Sequence, residues 1–267
     1  PGSVAVAGVQ TGPTAGNGAG GLQVIWTVLN CCDTNFDYNV SSALISTTSV
    51  AGPTRTLSVG APQQVLPDVA TSGNGYMVVY RSSTDSNSRI LAQPLDAAGN
   101  PLTAQPVQLE LGPSYNGPSG PNVAWNGSLY LVSWGSTNGI VAQRLSATGA
   151  KLDAAPFKVM GGFGPADVAA IGDTFLVSAR FAYTVQSIAA IAARVRGSDG
   201  VVLDPTALVL GGSYVSSAPA VTTLGGKFYV AFISNVTHDN SAASTIGAFV
   251  PVTGTNVTLR SIFSFST

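Results

Sequence analysis

One apolar motif recurs along this chain and constrains its fold more than any other feature. Tyr76-Met-Val-Val-Tyr80, Tyr130-Leu-Val-Ser-Trp134, Phe175-Leu-Val-Ser-Ala179 and Tyr229-Val-Ala-Phe-Ile233 are versions of a single strand, and Leu22-Gln-Val-Ile-Trp26 reads as a fifth. Their first residues lie at 22, 76, 130, 175 and 229, at intervals of 54, 54, 45 and 54, which is the period of an array of supersecondary units. Such units bury their apolar faces by stacking on one another, so 267 residues read as one domain built of five equal parts.

The surroundings of each anchor strand repeat as well. In the second unit Pro67-Asp-Val-Ala70 leads into a turn at Gly73 and Asn74-Gly75, then the anchor. This is hairpin chemistry. A polar loop from Ser82 to Ser88 follows, then Ile90-Leu-Ala-Gln-Pro-Leu95, a turn at Asp96-Ala-Ala-Gly99 and a last strand around Pro106-Val-Gln-Leu109. The third unit matches it with Pro121-Asn-Val-Ala124, Ile140-Val-Ala-Gln-Arg-Leu145 and Pro156-Phe-Lys-Val159. The fourth uses Asp167-Val-Ala169, Ile191-Ala-Ala-Arg-Val195 and Leu208-Val-Leu210, and the fifth Pro219-Ala-Val-Thr222, Ile246-Gly-Ala-Phe249 and a strand near Leu259 to Phe265. Gly73, Gly127, Gly172 and Gly226 each stand three residues ahead of an anchor, where a tight turn asks for positive φ and no competing side chain. The first unit is the most degraded, with Val4-Ala-Val-Ala7 as its opening strand and a Gly-rich link from Gly8 to Gly21.

Four strands per unit, five times over, predict an all-β chain: a five-bladed β-propeller with four antiparallel strands per blade. The blades fall at about 1–60, 61–112, 113–160, 161–211 and 212–267. Complete first and last units predict closure by blade-to-blade packing, without a terminal strand crossing over. Helical patterning is absent, which sets aside an α-solenoid; a β-sandwich is the alternative.

Composition narrows the function classes. Charged residues are 9% of the chain against 45% hydrophobic, and the net charge is -1, with 11 Lys and Arg that form no run. Nothing here draws in a phosphate backbone, so nucleic acid is not expected as a partner. Nor does any apolar stretch approach the roughly 18 residues of a spanning helix, so membrane insertion is not expected. The start at Pro1, without Met or a basic and apolar leader, suggests a processed chain.

The repeats also resemble those of secreted bacterial propeller proteins, in which a proline, a Val-Ala pair, a Gly turn and a Tyr-Leu-Val-x-Trp strand recur. The resemblance covers nearly the whole chain. It implies export, to the extracellular space or the cell surface, and a binding role as a tendency of that class.

Propeller loops from the second to the third strand, and from one blade to the next, emerge on one face, where candidate site residues gather. Blade-to-blade loops carry Tyr115, Phe163 and Tyr214 beside glycines. These rings are either platforms for the flat face of a sugar or plugs between blades. In the first unit Asp33-Thr-Asn35-Phe36-Asp37-Tyr38-Asn39 spaces oxygen ligands at every second residue, like the opening of a calcium loop. Tyr38 then stands where a helical-hand loop needs Gly, and Leu44 where it needs Glu. That leaves a looser calcium site at Asp33, Asn35 and Asp37, flanked by Phe36 and Tyr38, or a solvated loop that caps its own turns. Asp85 with Asn87, and His238 with Asp239 and Asn240, are weaker versions. The adjacent Cys31 and Cys32 can form only a strained vicinal disulfide within the chain; free thiols and bonds to a second chain are the alternatives.

Catalytic residues are scarce in the sequence. Propeller glycosidases use paired carboxylates near the axis, whereas this chain has the single Glu110, on a fourth strand at a blade's outer edge. Asp68 and Asp167 lie beside inner strands, but each precedes a repeated Val, so a structural role is the simpler account. His238 is the only imidazole, and no nucleophile elbow precedes a helix. The expectation is therefore a non-enzyme: an extracellular recognition or adhesion module that binds glycan or a protein surface through its loop-rich face. The alternatives are a self-packing structural component and a hydrolase with an Asp-based site.

Overall fold

A computed structural model describes residues 14–18, 20–30, 37–48, 52–57, 63–84, 86–113, 118–184, 187–211, 214–235 and 243–264. Among these residues there are strands and no helix. The first run of four is β1 (Thr14–Gly18), β2 (Gly21–Asn30), β3 (Asp37–Ile45) and β4 (Arg55–Thr56); the second is β5 (Gln63–Thr71), β6 (Gly75–Ser83), β7 (Asn87–Asp96) and β8 (Val107–Pro113). Next come β9 (Asn122–Trp125), β10 (Tyr130–Ser136), β11 (Gly139–Leu145) and β12 (Phe157–Met160), then β13 (Phe163–Ile171), β14 (Thr174–Thr184), β15 (Ser187–Arg196) and β16 (Leu208–Gly211). The last run is β17 (Ala220–Leu224), β18 (Lys227–Asn235), β19 (Ala243–Val250) and β20 (Thr258–Ser264).

Each run pairs in chain order, and no sheet closes on itself. The first two runs count as one eight-stranded sheet only through a single parallel step, Tyr38 opposite Gln63. The chain forms two compact units, Pro1–Val132 with Gln143–Pro156, and Ser133–Ala142 with Phe157–Thr267.

Every anchor is the second strand of its run. Tyr76 to Tyr80, Tyr130 to Trp134 and Phe175 to Ala179 are buried at every position, as strands covered on both faces must be. In the last anchor buried Val230 and Phe232 alternate with more open Tyr229, Ala231 and Ile233, the pattern of a sheet covered on one face. In the first unit Tyr76, Val78 and Tyr80 pack with Ile25, Val40, Leu57, Val69 and Leu95. In the second, Leu176, Phe228, Val230 and Phe232 pack with Ala190, Leu210, Val215 and Val250.

A β-bulge fixes the register of the repeat. It falls between Ile90 and Leu91, Ile140 and Val141, Ala190 and Ile191, and Thr245 and Ile246. The third strand of the fourth run is thus equivalenced from Ala190 and that of the fifth from Thr245, one residue earlier than their isoleucines suggest. The glycines before the anchors do adopt positive φ, at 86°, 101°, 55° and 71° for Gly73, Gly127, Gly172 and Gly226. A Cβ at any of the four would meet nothing within 4 Å, so backbone conformation alone, and not crowding, asks for glycine there.

The first run departs from expectation. Its opening strand is β1, inside the stretch read as a Gly-rich link, and it pairs with β2 from Thr14 opposite Ile25 to Gly18 opposite Gly21. Residues 4 to 7 lie outside the described residues. The glycines serve close packing: a Cβ on Gly20 would stand 1.9 Å from the Ala97 carbonyl oxygen, and one on Gly18 would stand 2.6 Å from the Thr71 hydroxyl. Composition alone cannot separate such a strand from a linker.

Candidate functional site

First strands of successive runs lie side by side, β1 with β5 and β5 with β9 in the first unit, β13 with β17 in the second. The repeated aspartates bridge them. Asp68 Oδ2 accepts from the Val123 amide at 2.9 Å, and Asp167 Oδ2 accepts from the Val221 amide at 2.7 Å, while Asp167 Oδ1 takes the Val168 amide at 2.9 Å. Each carboxylate satisfies an inner-strand amide of the following run, which is a structural clasp.

The clasp has an electrostatic consequence. Burial pushes the Asp167 carboxyl above its ordinary value of 3.8, the two amide donors pulling the other way. The folded protein therefore keeps this proton to higher pH than the unfolded chain does. The site's contribution to stability is greatest below the ordinary value and declines as pH rises through the folded-state value. Asp167→Asn keeps an amide-accepting oxygen and removes this titration. In urea unfolding followed from acid to neutral pH, the variant is expected to gain on the parent as pH rises; a constant difference between the two would refute the assignment.

Five further aspartates are also engaged. Asp153 pairs with Arg144, Asp204 with Arg194 and Asp199 with Arg196. Asp173 accepts from the Ser198 hydroxyl at 2.7 Å, and Asp96 is held below the usual carboxylate range chiefly by hydrogen bonds from Asn100. Glu110 lies within β8, opposite Ile90. No group of three or more His, Cys, Asp or Glu side chains that could hold a metal occurs among the described residues.

In the second unit the structure brings two of the predicted ligand residues to one end of one run. Phe163 opens β13 opposite Arg180 and is 37% exposed. The Arg180 guanidinium lies 4.9 Å from its ring centroid and donates to the Ser216 carbonyl at 3.4 Å. Tyr214, half-buried, bridges to Ile188, which pairs with Ala182 two residues beyond Arg180. On the other face of β14, Phe181 and Tyr183 have rings 5.0 Å apart, edge to face, Tyr183 being 56% exposed. Arg180, Phe181 and Tyr183 escaped the sequence reading because they extend an anchor strand; their signal is the alternation of rings beyond its buried part. The ring that packs onto glycine is Phe181, which a Cβ on Gly161 would meet at 3.0 Å.

Tyr38 belongs to the first unit, half-buried in β3 opposite Leu29. Asp37 opens that strand opposite Asn30. Tyr115, Phe36, Asp33, Asn35, Cys31, Cys32, Asp85, His238, Asp239 and Asn240 lie outside the described residues.

No family model and no curated protein matches the chain. Solved structures do. A mutant puromycin hydrolase in complex with PGG is similar over 93% of this chain, at 13% identity and a TM-score of 0.55. The chain spans 36%, about a third, of that structure's length. The native arabinanase of Bacillus subtilis is similar over 85% of this chain and 89% of its own, at 14% identity and a TM-score of 0.48. A neuraminidase-like protein from A/bat/Guatemala/164/2009 is similar over 94% of this chain and 74% of its own, at 10% identity and a TM-score of 0.49.

At such identities the likeness is one of fold. It nevertheless corrects two expectations, that the chain is not an enzyme and that it is a recognition, adhesion or self-assembly component. The puromycin hydrolase, similar over 93% of this chain at a TM-score of 0.55, is named as an enzyme. The error was to treat a shortage of Glu and His as evidence against hydrolysis, when it speaks only against particular constellations of catalytic groups. The chain has an all-β fold of the β-propeller type.

Proposed function

We propose that the chain is a five-bladed β-propeller with a hydrolase-like function, each four-stranded run forming one blade. The observation that carries this reading is the likeness to a puromycin hydrolase over nearly the whole of this chain but only about a third of that structure. Asp68, Asp167, Asp153, Asp204 and Asp199 are spent on clasps and ion pairs. The chain serves as the propeller body of the hydrolase, and bond cleavage draws on groups beyond those. Phe163, Arg180 and Tyr214 supply a substrate-facing rim, in a protein of the extracellular space or cell surface.

The test is a turnover assay of the full gene product on aryl glycosides and on aminoacyl anilides. One class is expected to be cleaved, and Phe163→Ala is expected to raise KM by about tenfold with kcat little changed, as loss of binding common to ground and transition states requires. Absence of turnover on both classes would contradict the reading, and an unchanged KM would remove Phe163 from the rim.

A further inference from the structure

A cavity of about 380 Å³ lies in the first unit against one face of the second run. Two cross-strand rows form its floor. Gln64, Ser82 and Arg89 stand opposite one another along the first, and Tyr80, Leu91 and Gln108 along the second. Thr56, at the end of β4, lines it from the first run.

Three features mark it as a built site. The Tyr80 side chain is completely buried, and its hydroxyl has no hydrogen-bond partner in the protein, a costly arrangement for a polar group. Burial also raises the phenol's pKa, so it remains a neutral donor. Arg89 makes none of the ion pairs found among the described residues, which join Arg144 to Asp153, Arg194 to Asp204 and Arg196 to Asp199. The cation is not part of the repeat either: the residues at its position, just before the bulge, are Gly139 in the third run and Ala189 in the fourth. Finally, no Asp or Glu is among the described residues that line the cavity, and the formal charge those residues carry is positive. A cation with no ion pair among the described residues and a neutral donor without a protein partner, on one polar wall, select an acceptor that carries negative charge.

We propose that this cavity binds a small hydroxy acid. Its carboxylate accepts from the Tyr80 hydroxyl and the Arg89 guanidinium, and its hydroxyls exchange hydrogen bonds with the amides of Gln64 and Gln108. The proposal is independent of the hydrolase reading, since it uses none of the residues of the rim.

The probes are tartrate and threitol, the same four-carbon hydroxylated chain with and without carboxylates, titrated into the protein by calorimetry at matched ionic strength. Saturable binding of tartrate and none of threitol is expected. Arg89→Ala, which changes an exposed side chain, should weaken tartrate binding by about tenfold or more, the scale of one charged hydrogen bond. Tyr80→Phe removes only the unpartnered hydroxyl, so it should fold as stably as the parent and still weaken tartrate. Equal binding of threitol, binding unchanged in both variants, or no binding of tartrate by the parent would each overturn the proposal.

Discussion

Asp204→Ala is expected to cost about 3–5 kcal/mol of folding stability, the largest effect of any single polar change in the described residues. Asp204 and Arg194 have side chains only 4% and 6% exposed, and the carboxylate receives three donors from one residue. Arg194 Nε donates at 2.9 Å, Nη2 at 2.6 Å and the Arg194 backbone amide at 2.8 Å. These bonds hold the guanidinium proton more tightly than usual. Arg194 Nη1 in turn reaches the carbonyls of Pro251 and Val252, at 3.3 and 3.1 Å, tying the third strand of one run to the β19–β20 turn of the next. Removing the carboxylate leaves a buried cation with two carbonyls for company.

The same physics predicts that Arg194→Met combined with Asp204→Ala recovers much of the loss, because the penalty lies in the orphaned charge and not in the absence of a bridge. Asp153→Ala, in the equivalent pair with Arg144, should cost less, since those side chains are 11% and 15% exposed and water can share the charge. Urea unfolding of the three variants measures all of this. Equal losses for Asp204→Ala and Asp153→Ala, or no recovery in the double variant, would contradict it.

Phe175→Ala is expected to cost a further amount of the same order, about 3–5 kcal/mol, by a different route. Phe175 is fully buried at the head of an anchor strand, opposite Val195, in a sheet whose anchor residues touch no solvent. Truncation loses the ring's transfer free energy and leaves a cavity between strands whose own hydrogen bonds prevent collapse. Tyr229 occupies the same place in the last run but is only half-buried, so Tyr229→Ala should cost clearly less. A Tyr229 loss as large as that at Phe175 would mean that the repeat position, and not burial, sets the energy.

Sequence reasoning reached the anchors because they are long, apolar and periodic, and reached the turn glycines because positive φ leaves few alternatives to Gly73 and its equivalents. It missed β1 because a strand held by close backbone approach shows glycine in place of alternation. It saw that Asp68 and Asp167 were equivalent, yet not what they hold, since an amide of the next run is invisible in a linear pattern. The rim was half legible: Phe163 and Tyr214 stand beside glycines, whereas Arg180 sits at the end of an anchor and acquires meaning only when β13 places a ring under it. Nothing in the sequence sets Tyr80 apart from Tyr76. The structure does, because Tyr76 donates to the Gly21 carbonyl at 2.7 Å while Tyr80 has no protein partner. Function was least legible, because counting carboxylates does not say where substrate would meet them.

The chain is one strand pattern written five times, with the second strand of each run at its core. Hydrogen exchange resolved along the chain tests it most directly, since amides that open only on global unfolding mark that core. Slow exchange is expected at 76–80, 130–134 and 175–179, somewhat faster exchange at 22–26 and 229–233, and the fastest strand exchange in the outer strands β8, β16 and β20. Protection greatest in those outer strands, or spread without regard to the repeat, would contradict it.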